Sequence, residues 1–208
     1  MENPRLREID PKYIDFSYDH KKRFISYWHQ INEVLKLDPE SVLEVGVGHK
    51  IFTDYLRKLG KEVITVDKKK KYNPLILGDV RNIPLESNLV DVVACFEVLE
   101  HIPFNDFSDV LSELKRLSKS HIIISVPDRT KLVKFSVGTL FFNFKKIINS
   151  PFKGKRNYVS NSTTRWVIGY KGYSLSDIKR KIGDNNLKIK NTFRPFENPN
   201  HRFFVLSK

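Results

Sequence analysis

The residues best suited to chemistry in this chain are a few carboxylates and one histidine, and each follows a short apolar run. Gly46 and Gly48 interrupt the stretch SVLEVGVGHK at residues 41–50, with Glu44 inside it; Asp67 follows Gly46 by 21 positions, and Asp79, Glu97 and His101 come later. A glycine turn admits a ligand to backbone that a side chain would block, and the amides of a following helix favour an anionic group. A carboxylate at the end of the next strand is placed to accept hydrogen bonds from both hydroxyls of a ribose. The strict Gly-x-Gly-x-x-Gly pattern fails, because Ile51 stands three positions after Gly48. The spacing of Asp67 is what raises an ordinary tight turn to a candidate nucleotide site.

These residues need a scaffold that brings strand ends together. Val42 to Val45 read as a strand, and Phe52, Tyr55, Leu56 and Leu59 recur at helical spacing. Glu62 to Val66 predict a second strand closing at Asp67, Leu75 to Leu77 a third ending in Gly78 and Asp79, Asp91 to Phe96 a fourth, and His121 to Val126 a fifth stopped by Pro127. A helix over Phe104 to Leu117 separates the last two. Lys21 to Leu37 predict an amphipathic helix on Phe24, Ile25, Trp28, Ile31 and Leu35, ended by Pro39. Ser174 to Ile182 open with a capping-box-like Ser174 and Asp177, and Leu187 to Arg194 and Arg202 to Leu206 read as a closing hairpin around residues 197–200. Strands alternating with helices predict an α/β, doubly wound parallel sheet, which binds ligands at the carboxyl ends of its strands. Gly46, Asp67, Asp79 and Glu97 all lie at such ends.

The 208 residues fit one domain, 1–208, with an N-terminal cap region over 1–38 and an insertion over 128–165. The single cysteine, Cys95, rules out an intrachain disulfide or a cysteine-ligated zinc cluster, and with no signal-like apolar start the expected location is cytoplasmic. The net charge of +13 favours anionic partners. Nine basic residues of the insertion, Arg129, Lys131, Lys134, Lys145, Lys146, Lys153, Lys155, Arg156 and Arg165, stand against Asp128 alone. Val137, Leu140, Phe141, Phe144, Ile147 and Ile148 predict a helix there, either docked with a basic outer face or meeting substrate, anionic lipid or RNA phosphates.

The segments VLEVGVG (42–48), VITVD (63–67), GDVRNIPLESNLVDVV (78–93) and FEVLEHI (96–102) resemble the class I S-adenosylmethionine-dependent methyltransferases, type 11 branch. The resemblance implies a Rossmann-like seven-stranded sheet of order 3-2-1-4-5-7-6 with the last strand antiparallel, and S-adenosyl-L-methionine as cofactor. It implies Glu44, Gly46 and Gly48 against the methionine moiety, Asp67 on the ribose, Lys68 beside the adenine, Asp79 on its exocyclic amine with Val80 against the ring, and Glu97 beneath the sulfonium. Lys50 departs from it, since many members carry a glycine or small residue there. The ending is similar to a subgroup with a tryptophan ahead of Ile-Gly-x-Lys-Gly-Tyr, and Trp166 and Tyr170 are placed over donor or substrate, or in packing between insertion and sheet. Tyr18, with Tyr13 and Phe16, joins the expected acceptor pocket.

Methyl transfer from a sulfonium needs alignment and exclusion of water, and a base only if the acceptor loses a proton. His101 is the base candidate, against the plainer reading that it orders its loop. Glu97, Glu100 and His101 also have the Glu-x-x-Glu-His spacing of a divalent-metal cluster known in some O-methyltransferases. A nicotinamide oxidoreductase shares the glycine turn, but its Tyr-x-x-x-Lys pair occurs only as Tyr18 and Lys22, ahead of the turn. A non-catalytic module that holds RNA or anionic membrane through the insertion is the remaining alternative. No acid-or-Asn-Pro-Pro-aromatic motif is present, so a small-molecule hydroxyl is the favoured acceptor.

Overall fold

A computed structural model of the chain describes residues 19–139, 142–149 and 163–208. Tyr18 and the aromatic segment before it lie outside the described residues. Seven strands form one sheet: β1 (Ser41–Val45), β2 (Glu62–Asp67), β3 (Ile76–Leu77), β4 (Val90–Phe96), β5 (Ser118–Pro127), β8 (Lys188–Phe193) and β9 (His201–Ser207). Its order is β3-β2-β1-β4-β5-β9-β8, which is the expected order once the two insertion strands are set aside. β1 to β5 run parallel, with Val42 opposite both Val63 and Val92, while β9 runs antiparallel to β5 and β8.

The sheet is covered on both faces, so its strands read as continuous apolar runs rather than alternating ones. Alternate residues of β4 show how: Val93 and Cys95 pack towards α3 (Phe107–Leu117) and α4 (Leu175–Asp184), and Val92, Ala94 and Phe96 pack towards α2 (Ile51–Lys58) and Val34 of α1 (Lys21–Leu35). α4 starts with the expected capping box, Ser174 and Asp177 each serving the other's backbone.

α1 turns a different face inward from the one its apolar stripe predicts. Ser26, Gln30, Glu33 and Val34 are its buried residues, while Phe24 and Trp28 are 50% and 59% exposed. The reason is polar: Ser26 Oγ lies 3.1 Å from His201 Nδ1 and accepts from Asn198 Nδ2 at 3.0 Å, so hydrogen bonds to the closing hairpin set the helix's rotation.

The expected insertion helix is instead a β-hairpin, β6 (Leu132–Gly138) with β7 (Asn143–Asn149). Leu140 and Phe141 of the predicted stripe lie outside the described residues. Val133, Phe135, Val137, Phe144 and Ile148 favour a pleated surface, and Gly138 disfavours a helix interior. The hairpin's stem is anchored by a buried charge cluster. Asp128 accepts from Arg202 Nε at 2.7 Å and from the Thr130 amide at 2.8 Å, with Arg194 Nη1 3.5 Å away. Ile168 runs beside Asp128, and a Cβ on Gly169 would fall 2.6 Å from the Thr130 nitrogen, so only glycine allows that approach. No helix among the described residues is long and apolar enough to cross a membrane.

Candidate functional site

The carboxyl ends of β1, β2 and β4 open into one cleft, and the strand-end residues singled out in the sequence meet there. Glu44, Gly46, Gly48, Asp67, Lys68, Asp79, Val80, Glu97 and His101 all line it. Gly46 has φ +87°, and a Cβ on it would fall 2.2 Å from Val98 Cγ2, so the turn closes tightly over the loop after β4. Gly48 has φ +51° with open space where a Cβ would stand. Lys50 retains the left-handed backbone, at φ +62°, that a glycine would adopt freely, and its Nζ donates to the Asn73 carbonyl at 2.8 Å.

Asp67 ties the turn to the end of β2. Its Oδ2 accepts from the Val47 amide at 3.1 Å and its Oδ1 from the Lys69 amide at 2.8 Å. Each carboxylate oxygen offers two lone-pair directions, so one on each remains for further donors. Glu44 is buried and accepts from Thr53 Oγ1 of α2. Burial pushes its carboxyl up to about 8 against the Thr53 bond, which acts the other way. A cation brought to this carboxyl would restore its charge.

Asp79 is held by Arg81, whose Nε and Nη2 each donate at 2.9 Å to a different oxygen. Those bonds hold its carboxyl at about 2. Glu97 has φ +55°; its Oε1 accepts from Ser125 Oγ at 2.9 Å and its Oε2 lies 3.4 Å from His201 Nε2. Glu100 is buried, its Oε2 without a hydrogen-bond partner among the described residues, and burial followed by the nearby Glu97 raises its carboxyl well above the ordinary range.

His101 lines the cleft and also ties its loop to the far end of the insertion, its Nδ1 donating to the Thr163 carbonyl. Arg165 reinforces that strap, its amide donating to the Glu100 carbonyl at 2.7 Å and its Nε to the His101 carbonyl at 3.1 Å. Glu97, Glu100 and His101 all lie at the end of β4, but among the described residues no group of three histidine, cysteine or carboxylate side chains is arranged to hold a metal ion.

Two expected lid residues lie elsewhere. Trp166 is fully buried in an aromatic cluster with Phe104, Phe107 and Tyr173, and its Nε1 donates to the Leu99 and Ile102 carbonyls at 3.1 Å each. It supports the His101 loop from below because its indole N–H needs partners in the core. Tyr170 is half-buried in the turn it closes with Tyr173, outside the cleft lining.

Other residues enter unannounced. Arg23, Tyr27 and Gln30 of α1 line the cleft, at helical spacing on a face the apolar stripe obscured. His49 also lines it, and Asp19 Oδ2 accepts from His49 Nδ1 at 2.6 Å while Asp19 Oδ1 accepts from the Tyr27 hydroxyl at 3.0 Å. The carboxylate thus holds the His49 ring by Nδ1 at the rim of the cleft.

Residues 43–124 match the family model described as "Methyltransferase domain". None of the curated proteins matches the chain in sequence. Among solved structures, an S-adenosylmethionine-dependent methyltransferase of Aquifex aeolicus superposes with a TM-score of 0.58 at 16% identity, over 95% of this chain and 97% of that one. Magnesium protoporphyrin IX methyltransferase of Synechocystis, with bound S-adenosylhomocysteine, gives 0.60 at 17% identity over 90% and 84%. The Burkholderia thailandensis 1,6-didemethyltoxoflavin N1-methyltransferase gives 0.60 at 12% identity over 93% and 81%. Residues 43–124, the part of the chain that is similar to the methyltransferase-domain model, carry the glycine turn and the strand-end acids Glu44, Asp67, Asp79 and Glu97 of the cleft, and the solved methyltransferases share the fold around them.

Proposed function

We propose that the protein, acting as a single cytoplasmic domain, transfers a methyl group from S-adenosyl-L-methionine to a hydroxyl of a small molecule. The observation that carries this reading is the convergence in one cleft of Glu44, the Gly46–Gly48 turn, Asp67, Asp79 and Glu97. The free lone pairs of Asp67 suit the two ribose hydroxyls. Buried Glu44, which sheds its proton readily only beside a cation, suits the donor's ammonium group. Lys68 and Val80 flank the adenine, and Asp79, steadied by Arg81, accepts from its amine. Glu97 closes the floor, and Arg23 is placed for the donor's carboxylate.

The donor supplies an activated methyl that leaves its sulfur as the acceptor oxygen attacks in line. The chain's task is to hold the acceptor against that methyl and to take up the hydroxyl proton. His49, whose Nδ1 is held by the Asp19 carboxylate, is better arranged for the proton than His101, whose Nδ1 is held by the neutral Thr163 carbonyl, because a carboxylate stabilises the imidazolium that forms. His101 remains a cleft residue that positions its loop.

The test is incubation with methyl-labelled donor and a fractionated small-molecule extract. Label in a small molecule, lost in His49→Gln and partly retained in His101→Ala, supports the assignment. Label found only in protein or RNA would overturn the small-molecule acceptor, and His101→Ala alone abolishing transfer would return the base to His101.

A further inference from the structure

The β6–β7 hairpin presents two unlike faces. Directly paired residues of antiparallel strands share a face, so Val133 with Ile148, Phe135 with Lys146 and Val137 with Phe144 point one way. Phe142 continues that row and stacks on Phe144, ring centroids 6.4 Å apart. Lys134 and Lys145 point the other way, both set over the Phe196 ring at 5.1 and 5.5 Å, and Lys145 pairs with Glu197 at 3.1 Å. The hairpin is therefore fastened to the β8–β9 loop by its polar face. Its other face is turned to solvent, with all six apolar side chains between 44% and 60% exposed.

A contiguous exposed apolar face on a soluble domain marks a binding surface, and its chemistry indicates the occupant. Residues 129–149 contain five basic residues and no acid, and residues 135–144 contain no charge at all. Surface turns are ordinarily polar; an uncharged, aromatic turn with lysines nearer the stem matches an acyl boundary met by headgroups. A nucleic-acid platform would use flat rings and arginines, whereas half of this face is Val133, Val137 and Ile148, which cannot stack on bases.

We propose that the apolar face of the β6–β7 hairpin docks the protein onto an anionic phospholipid bilayer. The hairpin follows the carboxyl end of β5, so the bilayer meets the edge of the sheet that carries the cleft. This inference stands apart from the catalytic reading, since vesicle binding needs no donor and no acceptor.

The experiment is flotation of the full chain with vesicles of phosphatidylcholine alone, or with about one-third phosphatidylglycerol. The expected result is binding to anionic vesicles that weakens with salt and falls roughly tenfold or more in Phe135→Ser/Phe144→Ser and in Lys146→Glu. These exposed positions leave the fold intact, checked by an unchanged thermal midpoint. No binding to anionic vesicles, equal binding to neutral ones, or binding untouched by the variants overturns the proposal. So does a self-associated dimer dissolved by the same phenylalanine changes, RNA binding lost through them without vesicle binding, or vesicle binding that requires removal of residues 1–18.

Discussion

Replacing Asp67 with alanine probes the donor site with a magnitude the structure sets. The carboxylate holds the Val47 and Lys69 amides at 3.1 and 2.8 Å and has one lone pair left on each oxygen. Those two lone pairs are the ones assigned to the ribose. Hydrogen bonds to a charged acceptor contribute about 1 to 3 kcal/mol net, so Asp67→Ala should weaken S-adenosylhomocysteine binding roughly 5- to 150-fold. Freeing the Val47 amide also loosens the glycine turn, which would weaken any ligand of the cleft. A cycle separates the two effects: calorimetric titration of native protein and variant with S-adenosylhomocysteine and with its 2′,3′-dideoxy analogue. The native protein should discriminate the pair strongly, and the variant hardly at all. A variant that discriminates as well as the native chain would refute the ribose assignment and leave Asp67 as a brace for the turn.

Three further outcomes follow from named contacts. Glu44 has a folded pKa of about 8, raised by burial above the ordinary 4.5, so its contribution to stability is full below about pH 4.5 and is lost as pH rises through 8. Chemical denaturation should show the ligand-free native chain losing roughly 3 to 5 kcal/mol more than Glu44→Gln between pH 4 and pH 9; parallel profiles would mean Glu44 is already ionised. Lys50→Gly relieves a left-handed backbone at the cost of one exposed bond to Asn73, and should raise stability by about 0.5 to 1 kcal/mol in the same assay. A loss would mean the lysine contact outweighs the strain. Trp166→Phe removes the indole donor from the Leu99 and Ile102 carbonyls, of which Leu99 keeps the Ile102 amide, and should cost about 1 to 3 kcal/mol of stability, with donor affinity in calorimetry falling by less than that. An affinity loss exceeding the stability loss would return Trp166 to the donor site.

The parallel half of the sheet was legible because β1 to β4 are apolar runs ended by a glycine or an acid, and those same terminal residues are the ones the parallel topology gathers into the cleft. Asp67 and Gly46 are far apart in sequence yet joined through the Val47 amide, as their spacing foretells. The hairpin was not legible as one, because Val137, Phe141, Phe144 and Ile148 satisfy a helical period while Val133, Phe135, Val137 and then Phe142, Phe144, Ile148 satisfy a period of two. β-Branched and aromatic content and a mid-run Gly138 decide between them. α1 misled for a different reason: its rotation is fixed by Ser26 through His201 and Asn198, partners distant in sequence. Asp19 and His49 escaped notice because nothing local pairs a residue before α1 with one in the glycine turn. Trp166 could be read as lid or as core until its indole N–H was placed on two loop carbonyls.

The most direct test of the central claim is calorimetric titration of the full chain with S-adenosylhomocysteine, with NADH titrated in parallel. The account predicts saturable one-to-one binding of S-adenosylhomocysteine in the micromolar range and no heat from NADH. Binding of NADH instead, or silence with both ligands, would contradict it.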